Sequence, residues 1–158
     1  MKENIKEVAK LLIEKRLTIA FAESATAGRL AAEFSMPENA GKYLKGALVC
    51  YDASLKKDIL GVESEMIEKY TPESAEVTEA IAMGLPHLID ADIHIGVTGL
   101  PAPGGSETSE KPVGTMFIHS IKDGKPFFKD RQVFSGNPET IITSAVDHVA
   151  ELLLKNLS

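Results

Sequence analysis

The sequence has no tryptophan and one cysteine, and aromatic residues make up only 6% of it. A lone cysteine excludes an intrachain disulfide and a cysteine-built metal centre, and such usage fits a reducing compartment. Cys50 lies in an apolar run and reads as a small core residue. No stretch approaches the roughly 20 consecutive apolar residues of a membrane span. Residues 1–17 are interrupted by Lys6, Glu7, Lys10, Glu14 and Lys15, so they lack the uncharged centre of a signal peptide. A cytoplasmic location without membrane association is therefore expected. Positive charge is also scarce: 17 Lys and Arg against 23 Asp and Glu leave a net charge of -6. A broad nucleic-acid footprint needs a basic face to displace counterions, so nucleic-acid binding is not expected. A small anionic ligand held by a few local donors is compatible with this charge.

What is present suffices for one core. The 158 residues are 44% hydrophobic, which suits a single domain over 1–158. Ile5, Val8, Ala9 and Leu12 recur with helical spacing over residues 2–15. The run 17–22 is rich in branched and aromatic residues and reads as a strand buried on both faces, followed by a tight turn and a helix around Leu30 and Phe34. Residues 43–51 read as a second buried strand with Gly46 as its weak point, and 53–60 and 63–69 as short helices. Thr71-Pro72 has the form of an N-cap with proline at the first helical position, opening a helix that Gly84 and Pro86 distort at its end. A third strand is expected over 93–98. The segments 113–121 and 126–134 alternate around Asp123-Gly124, a strong hairpin signal, and Asn137-Pro138 caps a last helix. Helices interleaved with buried strands, plus a late hairpin, point to an α/β fold with helices on both sides of a mixed, mostly parallel sheet.

Three segments could carry chemistry. Glu23-Ser24-Ala-Thr26-Ala-Gly28 falls where a strand gives way to a helix, and free N–H groups of a first helical turn favour a phosphate or an oxyanion. Ser24 or Thr26 serves equally well as a plain N-cap. Tyr51 ends the second strand and Lys56 follows five residues later, so both reach the same end of the sheet as Ser24 if the strands are neighbours. A lysine acts as base to a serine nucleophile when burial lowers its pKa, although on spacing alone Lys56 also fits a solvated surface and Tyr51 a core-edge anchor. The stretch Thr98-Gly99 through Gly104, Gly105 and Lys111 to Thr115 is too long for a mere connector, and its glycines let backbone approach a ligand or simply allow turns. The four histidines have no metal-ligand spacing, so no metal is expected.

Together the segments are identifiable. Ala22-Glu23-Ser24-x-Thr26-x-Gly28 resembles the Ala-Glu-Ser-x-Thr-Gly-Gly of the CinA family's C-terminal domain. Tyr51 to Lys56 with Leu60-Gly61-Val62 resembles its Tyr-Ser-Asn-x-x-Lys and Leu-Gly-Val. Ala91-Asp92, Thr98-Gly99, Pro103-Gly104-Gly105 and Lys111-Pro112-Val113-Gly114-Thr115 resemble the rest of its series, in order, over nearly the whole chain. The resemblance implies a three-layer α/β/α amidohydrolase of pyridine-nucleotide salvage that converts nicotinamide mononucleotide to nicotinate mononucleotide and ammonia without a cofactor. It implies Ser24 as nucleophile, Lys56 as base and Tyr51 as relay or orienting hydroxyl. It places substrate contacts near Thr26, Gly28, Thr98, Gly104 and Gly105, and suggests a homo-oligomer. The alternative is a diverged domain of the same fold that binds a nucleotide or a protein without hydrolysis. Ala27 stands where the family has glycine, and Asp52-Ala53 where it has Ser-Asn. No arginine opens the last helix, which leaves Lys111 or Arg131 as alternative cations for a phosphate.

Overall fold

The computed structural model describes residues 2–158. Its elements are α1 (Glu3–Lys15), β1 (Ile19–Glu23), α2 (Arg29–Phe34), β2 (Leu44–Val49), α3 (Ala53–Asp58), α4 (Ser64–Tyr70), α5 (Ala75–Gly84), β3 (Ile93–Gly99), β4 (Thr115–Lys122), β5 (Lys125–Val133) and α6 (Pro138–Leu157). The strands form one sheet in the order β2-β1-β3-β4-β5. β1 pairs in parallel with β2 and with β3, while β3–β4 and β4–β5 are antiparallel. Four strands thus run one way and β4 alone opposes them, so the sheet is mixed as expected.

Alternation along β1 divides the core into two layers. Ile19 and Phe21 face α1, α2 and α6, where they meet Val8, Leu12, Phe34, Val149 and Leu153. Ala20 and Ala22 face the other side, against Val77, Ile81 and Leu85, with Leu60 and Val62 beside them. The small residues on that face let α5 approach closely. A Cβ added at Gly96 of β3 would stand 2.7 Å from the Thr78 carbonyl oxygen of α5.

Two local expectations are corrected. β2 is an edge strand, half-buried rather than enclosed, because only β1 pairs with it. The register slips between Ile19 and Ala20, where Lys45 is the extra residue of a bulge next to Gly46. The cap of α5 is Ser74, whose hydroxyl accepts from the Val77 N–H at 3.2 Å, and Thr71 instead ends α4 with φ 72°. The Asp123-Gly124 turn has positive φ at both residues, as a two-residue hairpin requires. Asn137 caps α6 by accepting from the Thr140 N–H.

This topology decides where a site can form. From β1 the chain moves outward to β2 and then returns to β3 on the other flank, so the carboxyl ends of three parallel strands diverge around one crevice. Crevices at such switch points are the usual ligand sites of open α/β sheets. Ser24 follows β1, Tyr51 follows β2 shortly after its end, and Leu100 follows β3.

Candidate active site

The crevice is a pocket of about 240 Å³ lined by Ser24, Ala25, Tyr51, Glu73 and the loop from Gly99 to Gly105. Beneath it, Lys56 of α3 is only 1% exposed, and its ammonium nitrogen lies 3.0 Å from Ser24 Oγ and 3.0 Å from the Cys50 carbonyl oxygen. The reach is set by Asp52, which caps α3 by accepting from the Ser54 N–H at 2.8 Å. Asp52 therefore does the capping work of a serine at the same place. Burial pushes the Lys56 pKa below the ordinary lysine value of 10.5, against the pull of the Glu73 and Asp52 carboxylates. Once deprotonated, an amine holding one bond to the Cys50 carbonyl keeps its lone pair for a hydroxyl, so Ser24 and Lys56 are placed to work as nucleophile and base.

The turn after β1 contains a residue that sequence reasoning passed over. Glu23 is fully buried, and its carboxylate accepts from Thr26 Oγ1 at 2.8 Å, the Leu30 N–H at 2.7 Å and the Ala31 N–H at 3.0 Å. The protein's own carboxylate thus occupies the start of α2, where the sequence led us to expect a ligand's phosphate or oxyanion. Thr26 and Gly28 accordingly sit in the wall of this turn rather than on the pocket: Thr26 is spent on Glu23, and Gly28, at φ 94°, shapes the entry into α2. Ala27 adopts φ 48°, a left-handed conformation that costs an alanine about 1 kcal/mol, so glycine suits this place for its backbone as well as its size. An acid six residues ahead of a helix was the available signal for Glu23.

The other sequence candidates divide. Tyr51 reaches the pocket, but it is 67% exposed at the rim, and its hydroxyl has no hydrogen-bond partner among the described residues. Thr98 is fully buried and pairs with Thr78 Oγ1 at 2.8 Å, which joins β3 to α5 and leaves it away from the pocket. Gly104 and Gly105 do line the pocket, and their N–H groups, at 2.8 Å each, hold the exposed Glu107 carboxylate. Two adjacent amides aimed at one carboxylate make an anion-binding nest. Of the two alternative cations, Lys111 is fully engaged and Arg131 lines a separate groove. Lys111 Nζ is held by Thr71 Oγ1 at 2.6 Å, the Glu73 carbonyl at 2.7 Å and Ser106 Oγ at 2.8 Å. Arg131 donates to the Glu110 carbonyl. Ser106 also donates to Glu73 Oε2 at 2.6 Å, so the loop is strapped to the segment ahead of α5 and Glu73 is fixed on the pocket wall. Among the described residues no group of three or more His, Cys, Asp or Glu side chains is arranged to hold a metal ion.

Comparison with known proteins agrees with this architecture. A family model described as the CinA C-terminal domain matches residues 1–157. A CinA-like protein of Thermotoga neapolitana is 36% identical over 150 residues, covering 95% of this chain and 36% of that protein. The chain spans about a third of the length of the curated relatives it matches. A solved CinA superfamily protein from Escherichia coli superposes with TM-score 0.89 at 29% identity, covering 96% of this chain and 87% of that one. One from Klebsiella pneumoniae gives TM-score 0.92 at 26% identity over 98% and 96%.

Proposed function

The chain belongs to the CinA C-terminal domain family, and from that premise we propose that it is an amidohydrolase that releases ammonia from nicotinamide mononucleotide. The observation that carries this reading is the 3.0 Å contact between Ser24 Oγ and the buried Lys56 amine. Neutral Lys56 takes the Ser24 proton as Oγ bonds to the carboxamide carbon, forming a tetrahedral oxyanion. Lys56 returns that proton to the departing nitrogen as the C–N bond breaks, leaving ammonia and an ester on Ser24. Water then attacks the ester, Lys56 relays its proton back to Oγ, and nicotinate mononucleotide leaves.

The donors for the oxyanion are not those of α2, which Glu23 occupies. The Ala25 N–H follows the nucleophile, borders the pocket and enters none of the turn's hydrogen bonds among the described residues. The positive pyridinium ring of this substrate suits the Glu73 carboxylate and the exposed Tyr51 ring that border the pocket. Its phosphate suits the Gly104 and Gly105 amides, displacing Glu107. Ammonia release from nicotinamide mononucleotide by the purified chain tests the reading, with Ser24→Ala as control. Turnover that vanishes in the variant supports it. Saturable binding of the nucleotide without any turnover would favour the alternative of a non-hydrolysing nucleotide-binding domain.

A further inference from the structure

A second groove lies away from Ser24, where α5 stops short of covering the sheet. It measures about 420 Å³ and runs between α5 and β5 with β4 as its floor. That size falls within the range of small-ligand sites. Glu76 and Glu79 stand three residues apart on α5 and so share one wall. Lys129 and Arg131 form the other, directly across β4 from His119 and Phe117 in the β4–β5 register. None of these four charged residues forms an ion pair among the described residues, although acids and bases line opposite walls, and Arg131 gives one N–H to the Glu110 carbonyl and keeps its others.

The floor supplies an independent sign of a ligand. Ile118 packs into the core toward α6, so Phe117 and His119, its neighbours on β4, face the groove. His119 is 7% exposed, and its Nε2 is buried with no hydrogen-bond partner. Burial, against the pull of Glu79 and together with Lys129, lowers its pKa below the ordinary 6.5. Phe117 lies alongside it, 8% exposed, with the Arg131 guanidinium over its ring at 5.7 Å, so an apolar ligand group reaches the ring where Arg131 swings toward a carboxylate.

From this arrangement we infer that the α5–β5 groove binds a small zwitterion of the amino-acid type, its ammonium toward Glu76 and Glu79, its carboxylate toward Lys129 and Arg131, and an apolar side chain on Phe117. A ligand carrying both charges complements both walls, and the unpartnered His119 Nε2 lies at the floor between them.

Titration of the ¹⁵N-labelled full chain with L-phenylalanine, phenethylamine and 3-phenylpropionate, followed by amide chemical shifts, tests the inference. Phenylalanine is expected to give saturable shifts in α5, β4 and β5 and to bind at least about tenfold more tightly than either singly charged analogue. Glu79 is exposed, so Glu79→Lys should leave the fold intact and turn the preference toward 3-phenylpropionate. Absence of saturable shifts, equal affinity for the three probes, or shifts centred on Ser24 would overturn it.

Discussion

At the residue scale, two buried charged side chains carry opposite burdens. Glu23 is fully satisfied by one hydroxyl and two amides, and replacing it with glutamine puts an NH₂ group where donors already converge. Glu23→Gln is expected to cost about 2–3 kcal/mol, read as a lower midpoint in urea unfolding. Lys56 is instead held where burial opposes its charge. Its folded pKa lies below the unfolded value of 10.5, so between the two values the unfolded chain binds the extra proton and stability rises with pH. Below that window the folded state carries the cost of a buried charge. Lys56→Met is expected to be more stable than the wild type at neutral pH by about 1 kcal/mol, read as a higher unfolding temperature, with the gain shrinking as pH rises toward 10.5. The same variant should lose turnover, which a merely structural lysine would not do. Glu107 is exposed and sits in the anion nest of the pocket loop. Glu107→Gln is expected to lower KM for nicotinamide mononucleotide severalfold with kcat unchanged, and an unaltered KM would take the phosphate away from Gly104 and Gly105.

At the element scale, the sequence was most legible where the signal is local. The first helix, the Asp123-Gly124 hairpin and the Asn137 cap follow from spacing and turn chemistry within a few residues. The status of β2 as an edge depends on strand order, which no window of sequence contains. Likewise, Thr71-Pro72 has the form of a helix start, but Lys111, 40 residues away, clasps Thr71 and the Glu73 carbonyl and leaves Ser74 to cap α5. The packing of α5 on β3 turns on Gly96, where an added Cβ meets backbone and cannot be relieved by a side-chain rotation. Gly96→Ala is expected to push α5 outward and destabilise the fold by about 1–3 kcal/mol, measurable as a fall in Tm, with Gly41→Ala, whose Cβ would meet nothing within 4 Å, as the milder comparison.

At the scale of the whole molecule, one winding order brings the ends of three strands together, and the candidate site is a consequence of it. The resemblance of ordered motifs named Ser24, Lys56 and Tyr51, and the fold gathers all three at one sheet end, yet only Ser24 and Lys56 touch. The burial of Lys56 beside a neighbouring lysine that stays exposed depends on how α3 lies over the Cys50 carbonyl, and the two lysines are indistinguishable in sequence. Thr26 and Thr98 were legible as site-proximal but not as structural hydroxyls, since their partners Glu23 and Thr78 are chosen by tertiary packing. No helix of the described residues is long and apolar enough to cross a membrane. The central claim is that a desolvated lysine activates Ser24 for attack on an amide. It is tested most directly by kcat/KM for ammonia release from nicotinamide mononucleotide as a function of pH, in the wild type, Ser24→Ala and Lys56→Met. The account predicts activity that rises with pH through a single limb below 10.5 in the wild type and vanishes in both variants. Undiminished turnover in Ser24→Ala, or an unchanged pH limb in Lys56→Met, would contradict it.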